Sequence, residues 1–343
     1  MRPMLPVILL GGCVATLALS TLNVTQAASA KAADSRNEVI SKATPHDRLL
    51  SVAFDGEAGI AVGDGGLLQT STDGGKTWIR ERAPTELAMT DVAISGARTI
   101  VVGQMGLILI KQANGDWRQV DSGTDRRLLR VDINQSGLAV VVGAFGTLLK
   151  STDAGETWAS AAPDWSLLYA AGDGDMVAPR DEPTNYVVHV AEDGQVLIGG
   201  EYGQLMRSKD AGPEWNIVYR YQPKPHESAP TIFGMSIRDD GVGYAVGQSG
   251  FVARTTDNGL SWQVSQTPVT GSLFGVASFP NGQVVAVGQR ASLRSTDAGV
   301  SWKPIEGLDF ALNWYSSVGH SHSAPEGEFI AVGHSARILR LNP

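Results

Sequence analysis

Ser71–Trp78 reads STDGGKTW, and close copies return as STDAGETW at Ser151–Trp158, TTDNGLSW at Thr255–Trp262 and STDAGVSW at Ser295–Trp302. A looser copy, SKDAGPEW, occupies Ser208–Trp215. An internal repeat of this kind indicates the architecture, because each copy marks one structural unit that packs against its neighbours. We therefore interpret the chain first as a repeat protein.

Each copy, called an Asp box below, has the composition of a tight turn between two strands. Its Asp can accept hydrogen bonds from backbone N–H groups of the turn, and its Gly can adopt a positive φ. The Trp that ends the box offers a large apolar surface to a neighbouring unit. The predicted structural residues of the boxes are Asp73, Asp153, Asp210, Asp257 and Asp297, with Trp78, Trp158, Trp215, Trp262 and Trp302.

A second repeated signal lies upstream of the boxes: an apolar run ending in Gly, two variable residues, and usually a second Gly. Its first glycines are Gly63, Gly103, Gly143, Gly200, Gly247, Gly288 and Gly333, at spacings of 40, 40, 57, 47, 41 and 45 residues. Seven units of this length each accommodate four short strands, which we call A to D. The pattern predicts an all-β fold, a seven-bladed β-propeller with Asp-box turns.

The two ends of the repeat region predict how the ring closes. The seventh unit offers strands near Trp314–Val318, Phe329–Val332 and Arg337–Leu341 but no fourth strand of its own. The residue pattern of Asn37–Lys42 matches that of a D strand in the other units. We therefore expect this N-terminal strand to complete the last blade.

Residues 1–30 have the features of a secretory signal peptide: Arg2, an apolar run over Met4–Leu22 and the small residues Ala28-Ser29-Ala30. A retained membrane anchor, or a lipoprotein cleaved at Cys13, are the alternatives. Residues 31–343 are then expected to form one propeller domain. The leader predicts a periplasmic or secreted location.

The composition narrows the choice of partners. The formal net charge is −8, whereas nucleic-acid binding favours a basic footprint. Cys13 is the one cysteine, so no disulfide is expected. No cofactor-binding or metal-binding motif is evident, and the protein is expected to be monomeric.

The B–C turns and D–A connections of a propeller lie at one end of the ring, and the Asp boxes lie at the other. The variable B–C residues and an arginine cluster near one D–A connection therefore predict a partner-binding face, joined by the long segments 163–185 and 219–231. The predicted partner-binding residues are Gln104, Arg126, Arg127, Arg130, Phe145, Arg180, Tyr202, Gln248, Gln289, Arg290 and His334. Guanidinium groups recognise carboxylates in bidentate fashion. Pairing of these arginines with nearby aspartates is the alternative.

Catalysis and metal binding have weaker signals. A sialidase needs several arginines around a Tyr–Glu pair, and other glycosidases need two facing carboxylates, for which Asp64 and Glu201 are the candidates in the B–C turns. His320 and His322 share a strand face as a possible metal pair, and Asp173 and Asp175 lie in an acidic loop. Each of these sets lacks the further ligands or partners that its chemistry requires.

The segments GGLLQTSTDGGKTW, FGTLLKSTDAGETW and SGFVARTTDNGLSW, ending at Trp78, Trp158 and Trp262, resemble the photosystem II stability and assembly factor family. The same repeat class is similar to that of bacterial neuraminidase-repeat proteins. The resemblance implies a non-catalytic scaffold that binds a membrane protein on the exported side, in the thylakoid lumen of a photosynthetic host or beside an envelope transporter elsewhere. It also implies an arginine patch, for which the candidate residues are Arg126, Arg127 and Arg130. A secreted sialidase-like or glycan-binding propeller is the alternative.

Overall fold

The computed structural model describes residues 37–168, 182–321 and 327–342. Seven four-stranded antiparallel sheets form the blades, which confirms the predicted all-β, seven-bladed propeller. Each blade runs from the inner strand A to the outer strand D, and the strands of blades 1 to 3 are β2 (Leu49–Asp55), β3 (Ala58–Gly63), β4 (Leu67–Ser71) and β5 (Ile79–Arg82); β6 (Met89–Ser95), β7 (Arg98–Gly103), β8 (Ile108–Lys111) and β9 (Trp117–Val120); and β10 (Leu128–Ile133), β11 (Ala139–Gly143), β12 (Leu148–Ser151) and β13 (Ala159–Ser160).

The strands of blades 4 and 5 are β14 (Asn185–Val190), β15 (Val196–Gly200), β16 (Gln204–Ser208) and β17 (Asn216–Arg220); and β18 (Ile232–Ile237), β19 (Gly243–Gly247), β20 (Val252–Thr255) and β21 (Gln263–Ser265). The strands of blades 6 and 7 are β22 (Leu273–Ser278), β23 (Val284–Gly288), β24 (Ser292–Ser295) and β25 (Lys303–Pro304); and β26 (Tyr315–Gly319), β27 (Phe329–Gly333), β28 (Ile338–Leu341) and β1 (Glu38–Ser41).

The N-terminal strand β1 is the outer strand of the last blade. It pairs antiparallel with β28, with Glu38 opposite Arg340. Arg340 Nη1 lies 2.7 Å from Glu38 Oε1, and the Asn342 N–H donates to Asn37 Oδ1 at 2.9 Å. The described chain therefore closes its ring where its two ends meet.

The apolar residues form a separate core at each interface between neighbouring blades. Between blades 1 and 2, for example, Val62 and Leu68 pack with Val101 and Leu109. Equivalent clusters occupy the other six interfaces, including the one between blades 7 and 1. Strand B is covered by a blade on each side, which explains why runs such as AVG and VVG are apolar without alternation. Full burial of each such Val or Leu stabilises the fold by about 1.5–3 kcal/mol.

A one-residue β-bulge near the start of every A strand places one extra residue there. In β10, for example, Leu128 lies opposite Gly143 and Arg130 opposite Val142, so that Leu129 is the extra residue. The seven bulge residues are Leu50, Thr90, Leu129, Tyr186, Phe233, Phe274 and Ser316. A bulge re-aims side chains, and here it does so on the innermost strands.

The helical content of the described residues is small. It consists of α1 (Trp165–Leu168) and four single-turn 3-10 segments at B–C turns, Asp64–Gly66, Gln104–Gly106, Glu201–Gly203 and Gln248–Gly250. In the ranges that the structure describes, no helix has the length and apolar character needed to cross a bilayer.

Candidate partner-binding face

The B–C turns and the D–A connections share one end of the ring, which we call the upper face. The Gly106 N–H in a B–C turn donates to the Arg126 carbonyl in a D–A connection, and the Gly146 N–H donates to Pro183 in the same way. The opposite end, the lower face, joins the Asp boxes to the A–B turns. There the Ala154 N–H donates to the Gly137 carbonyl.

The first Gly of each B–C turn lies against the residue that precedes the inner strand of the same blade. A Cβ on Gly63 would lie 1.8 Å from the Arg48 carbonyl oxygen. Two residues further on, the backbone is left-handed in every blade, at Gly65, Met105, Phe145, Tyr202, Ser249, Arg290 and Ser335. The conformation costs a non-glycine residue about 1–2 kcal/mol. Bulky side chains at such positions are a recognised mark of functional sites.

The structure places most of the predicted B–C residues at the surface of the upper face. The exposed ones are Gln104, Met105, Phe145, Gln248, Gln289 and Arg290, whereas Asp64, Glu201 and Tyr202 are half-buried. Glu201 Oε2 accepts the Thr184 N–H at 2.9 Å, and Asp64 lies 3.5 Å from Arg48. The two acidic candidates are therefore engaged in local contacts.

An arginine–apolar patch, defined as Met105, Arg126, Arg127, Phe145 and Leu167, occupies blades 2 and 3 of the upper face. Met105, Phe145 and Leu167 are 65%, 60% and 76% exposed. The Arg126 guanidinium contacts the Phe145 carbonyl, lies 6.0 Å from the Phe145 ring and pairs with Glu182 at 3.1 Å. Apolar side chains exposed beside arginine have the composition of a protein interface.

The D–A connection after blade 3 supports this patch from below. Trp165 in α1 is buried, and its indole N–H donates to the Gly146 carbonyl at 3.1 Å. Gly146 belongs to the B–C turn that carries Phe145. Trp165 therefore fixes α1, with its exposed Leu167, to the same turn.

Arg127 is exposed, and it has no ion pair within the described ranges. It lies near the Tyr186 phenol: burial raises the pKa of Tyr186, Glu201 raises it further, and the positive charge of Arg127 lowers it. Arg127 directly precedes the inner strand β10, and its carbonyl accepts the Ala144 N–H, so Arg127 is an exposed cation near the start of that strand.

The prediction that Arg130 lies on the upper face with Arg126 and Arg127 is wrong. The bulge in β10 turns Arg130 into the central channel, where its Nη1 lies 3.0 Å from Asp91 Oδ1. The guanidinium also contacts backbone carbonyls of blades 4, 5 and 6, at Tyr186 (3.3 Å), Phe233 (3.5 Å) and Phe274 (3.5 Å). Asp91 further accepts hydrogen bonds from Ser51 Oγ and the Val131 N–H.

The structure buries most of His334, which the sequence placed among the partner-binding residues. Its side chain is 12% exposed, and its Nε2 lies 2.9 Å from Asp309 Oδ2. Asp309 also accepts hydrogen bonds from Tyr315 and Arg337 at 2.6 Å each. Burial lowers the pKa of His334, an effect that the Asp309 carboxylate partly offsets. This cluster fixes the connection between blades 6 and 7.

Four Asp boxes have the same hydrogen-bond network. In blade 3, Ser151 Oγ donates to Asp153 Oδ1, and the N–H and hydroxyl of Thr157 donate to the two carboxylate oxygens. The Trp158 indole N–H donates to the Gly155 carbonyl. Hydrogen bonds from Thr77, Thr157 and Ser301 lower the pKa values of Asp73, Asp153 and Asp297 to about 2.

The blade 4 box departs from this network, which corrects the structural role predicted for Asp210. Its carboxylate accepts the Gly212 N–H and lies 3.6 Å from Lys150 Nζ. Ser208 Oγ and Trp215 Nε1, whose counterparts in blade 3 are hydrogen-bonded, are buried without a partner. Pro213 and Glu214 stand where the other boxes have a residue with an N–H followed by Ser or Thr. Pro213 has no N–H and Glu214 has no hydroxyl, so two donors of the other boxes are missing here.

The channel opens on the lower face into a cavity of about 700 Å³. Among the residues that line it, Arg238 Nη2 lies 2.7 Å from Asp240 Oδ2, and His189 Nδ1 lies 3.5 Å from Asp132 Oδ2. His320 stacks on Phe279. No group of three or more metal-ligating residues occurs within the described ranges. His322, Asp173, Asp175 and Arg180 lie outside the described residues.

Comparison with known proteins finds relatives with similar sequences. A photosystem II assembly lipoprotein Ycf48 of Synechococcus sp. (strain CC9902) is 25% identical over 67% of this chain and 63% of its own length. A photosystem II assembly protein Ycf48 of Synechococcus sp. (strain JA-2-3B'a(2-13)) is 25% identical over 85% of each chain. No family model matches.

The solved structures agree in fold. A YCF48 from Cyanidioschyzon merolae has a TM-score of 0.69 at 16% identity, covering 90% of this chain and 98% of its own. A YCF48 bound to a D1 peptide has a TM-score of 0.65 at 18% identity, covering 90% and 97%. The chain resembles the Ycf48 photosystem II assembly proteins. This confirms the resemblance that the repeated segments indicated.

A sialidase of Bacteroides fragilis (strain YCH46) is also similar, at 25% identity over 72% of this chain and 50% of its own length. The two arginines that line the described lower cavity, Arg130 and Arg238, each contact a carboxylate of the chain itself. They do not converge on a free site within the described cavity.

Sequence reasoning missed the channel residues of the Ycf48-like ring. Tyr186, Phe233 and Phe274 lie on the inner strands of consecutive blades, and Asp91 holds Arg130 beneath them. A signal was present, because TIFG at Thr231–Gly234 and SLFG at Ser272–Gly275 repeat an aromatic residue at the same position of strand A. Asp309, which contacts His334, lies in the connection between blades 6 and 7, and no repeated sequence motif marks it.

Proposed function

We propose that the protein is an exported, non-catalytic scaffold that binds a segment of a membrane protein during assembly of a membrane complex. The observation that carries this proposal is the arginine–apolar patch. Its three large apolar side chains are exposed around Arg126 and Arg127, and two of them, Met105 and Phe145, stand on left-handed turns. Aromatic residues, Met and Arg, which occur in this patch, are also the residue types enriched in protein interfaces.

The relatives support this class of function. Ycf48 proteins are named for photosystem II assembly, and one solved YCF48 holds a D1 peptide. In a photosynthetic host the corresponding role is in assembly of that photosystem. In another host the same face suits an accessory of an envelope transporter. The predicted leader at residues 1–30 supports export to the periplasm or thylakoid lumen, and a monomer suffices for this role.

The geometry gives a hydrolase little support. Asp64 and Glu201 are engaged with Arg48 and with the Thr184 N–H. Within the described lower cavity, Arg130 and Arg238 are paired with Asp91 and Asp240, whereas a sialidase uses several arginines on its carboxylate substrate. A glycan-active or glycan-binding propeller is therefore the alternative outcome of the test.

The test is affinity capture from detergent-solubilised membranes of the host. A Met105→Ser/Phe145→Ser variant removes the apolar part of the patch, and it should fold because Ser249 and Ser335 occupy the equivalent left-handed positions. We expect the parent chain to retain one membrane protein reproducibly and the variant to lose it. Ile79→Ser is the matched control, since Ile79 is 68% exposed on the outer strand β5.

Equal capture by the parent and the double variant would overturn the proposed surface. Hydrolysis of a sialoside or glucan panel by the parent chain would overturn the non-catalytic assignment.

A further inference from the structure

The upper mouth of the central channel is lined by the bulge residues of the inner strands. Six of the seven are half-buried, and Thr90 is buried. On blades 4, 5 and 6 they are aromatic. The Tyr186 and Phe233 rings are 5.2 Å apart, the Phe233 and Phe274 rings are 5.5 Å apart, and both pairs meet edge to face. Leu50 and Leu129 lie at equivalent positions on blades 1 and 3.

Two glycines permit this close spacing of the aromatic residues. A Cβ on Gly234 would lie 2.5 Å from the Phe274 carbonyl oxygen, and one on Gly275 would lie 3.0 Å from the Ser317 Cα. Each glycine directly follows one of the two phenylalanines. The inner strands of blades 5, 6 and 7 therefore approach each other more closely than residues with a side chain would allow.

Arg130 closes the channel beneath the rings. Its guanidinium contacts the carbonyls of Tyr186, Phe233 and Phe274, and Asp91 fixes it from blade 2. Ser51, Asp91 and Arg130 line the lower cavity, whereas the three aromatic residues do not. The three rings thus form a half-buried aromatic surface above a polar floor, and we call this surface the upper cleft.

Charges of both signs lie at the rim of the upper cleft: Arg127 directly precedes strand β10, and Glu201 lies in the B–C turn of blade 4. Arg127 is exposed and close enough to lower the pKa of the Tyr186 phenol, whereas its neighbour Arg126 is engaged by Glu182 and Phe145. Glu201, the nearby acidic side chain, is engaged by the Thr184 N–H. Among the described residues, the charge of Arg127 has no ion-pair partner, so it is available to a carboxylate of a ligand.

We propose that the upper cleft binds an aromatic side chain of an extended partner segment, while an acidic residue next to that side chain pairs with Arg127. The inference rests on the proposed function and assigns the chemistry of the segment that this face takes. The aromatic ring packs edge to face with Phe233 and Phe274, and the Arg130 floor limits how deeply it enters. Such aromatic packing contributes beyond its buried area, by about 0.5–1.5 kcal/mol for a pair.

The probes are three blocked octapeptides of glycine and serine that differ only in the central pair: phenylalanine–aspartate, alanine–aspartate or phenylalanine–asparagine. Binding is measured by calorimetric titration at low salt. We expect the alanine peptide to bind the parent chain about tenfold more weakly than the phenylalanine–aspartate peptide. The asparagine peptide should bind about threefold to tenfold more weakly.

Two variants connect the probes to the cleft. Phe233→Leu keeps an apolar side chain but removes the ring, and it should weaken the phenylalanine–aspartate peptide much more than the alanine peptide. Arg127→Gln should remove the difference between the aspartate and asparagine peptides. Arg82→Gln, an exposed arginine on β5, is the matched control and should leave all affinities unchanged.

Equal affinity of the phenylalanine and alanine peptides would overturn the aromatic subsite. An aspartate preference that survives Arg127→Gln would overturn the role of Arg127. If the peptides fail to bind while the parent chain still captures its membrane protein through Met105 and Phe145, the upper cleft is wrong and the proposed scaffold function stands. Failure of the capture alone overturns the scaffold function instead.

Discussion

The two faces of the ring use repetition in opposite ways. On the lower face, four Asp boxes direct the same Ser or Thr, Asp and Gly groups inward into one hydrogen-bond network. On the upper face, the equally regular left-handed turn position holds Gly, Met, Phe, Tyr, Ser, Arg and Ser in succession. The backbone repeats at both ends, but the side chains repeat only where they hold the fold together. Variation at a fixed backbone position therefore supports the proposal that the upper face is the one that binds a partner.

The largest effect on the free energy of unfolding is expected at Asp91, which lies in the channel between the two faces. Asp91→Ala removes the carboxylate that faces Arg130 and leaves a half-buried guanidinium without its charge partner. Breaking a buried ion pair in this way costs about 3–5 kcal/mol. Urea unfolding should show this loss, and Asp239→Ala, at an exposed position of the lower cavity, should not. A loss under 1 kcal/mol would mean that the channel does not depend on the pair.

The lower face is tested by Asp153→Ala against Asp210→Ala. Asp153 accepts from Ser151, from the Thr157 N–H and from the Thr157 hydroxyl, so its removal should cost about 1–2 kcal/mol of unfolding free energy. Asp210 makes one backbone hydrogen bond and a surface ion pair, and its removal should cost about 0.5 kcal/mol. Equal losses would show that blade 4 forms the same box in solution.

The Asp boxes also predict the response to acid. Asp73, Asp153 and Asp297 have folded-state pKa values of about 2, against an ordinary value of 3.8. The unfolded chain then binds more protons than the folded chain between these values, so stability is retained above about pH 4 and falls as the pH is lowered toward 2. The unfolding free energy measured at pH 4.5 and 2.5 should drop less in Asp153→Asn than in the parent. An identical drop would contradict the assignment.

The smallest effect on stability is expected on the upper face. Phe145→Ser exchanges an exposed ring for a residue that the same turn carries in blades 5 and 7, so the unfolding free energy should change by less than about 0.5 kcal/mol. Binding should nevertheless be lost in the capture assay. A large destabilisation would indicate that Phe145 supports the fold through its contact with Arg126.

The repeats were sufficient to predict the blades and the Asp-box turns, because both depend on local spacing, and the missing fourth strand of the seventh unit predicted the pairing of β1. The errors came from features that the repeat pattern does not show. Arg130 was misplaced because one bulge residue, Leu129, changes the direction of the side chain that follows it. His334 was misplaced because its partner Asp309 lies in another blade's connection. At Asp210, the overall match to the box concealed the effect of Pro213.

The pairing of β1 with β28 also constrains the order in which the molecule can be made. Glu38 and Arg340 are separated by 302 positions along the chain, so their contact is available only after synthesis has passed β28. Until then β1 has no neighbour, and the inner blades form an open arc. Contacts between such distant segments form slowly because of the entropy of joining them. A nascent chain of this protein therefore has to wait for its last strand before it becomes a ring.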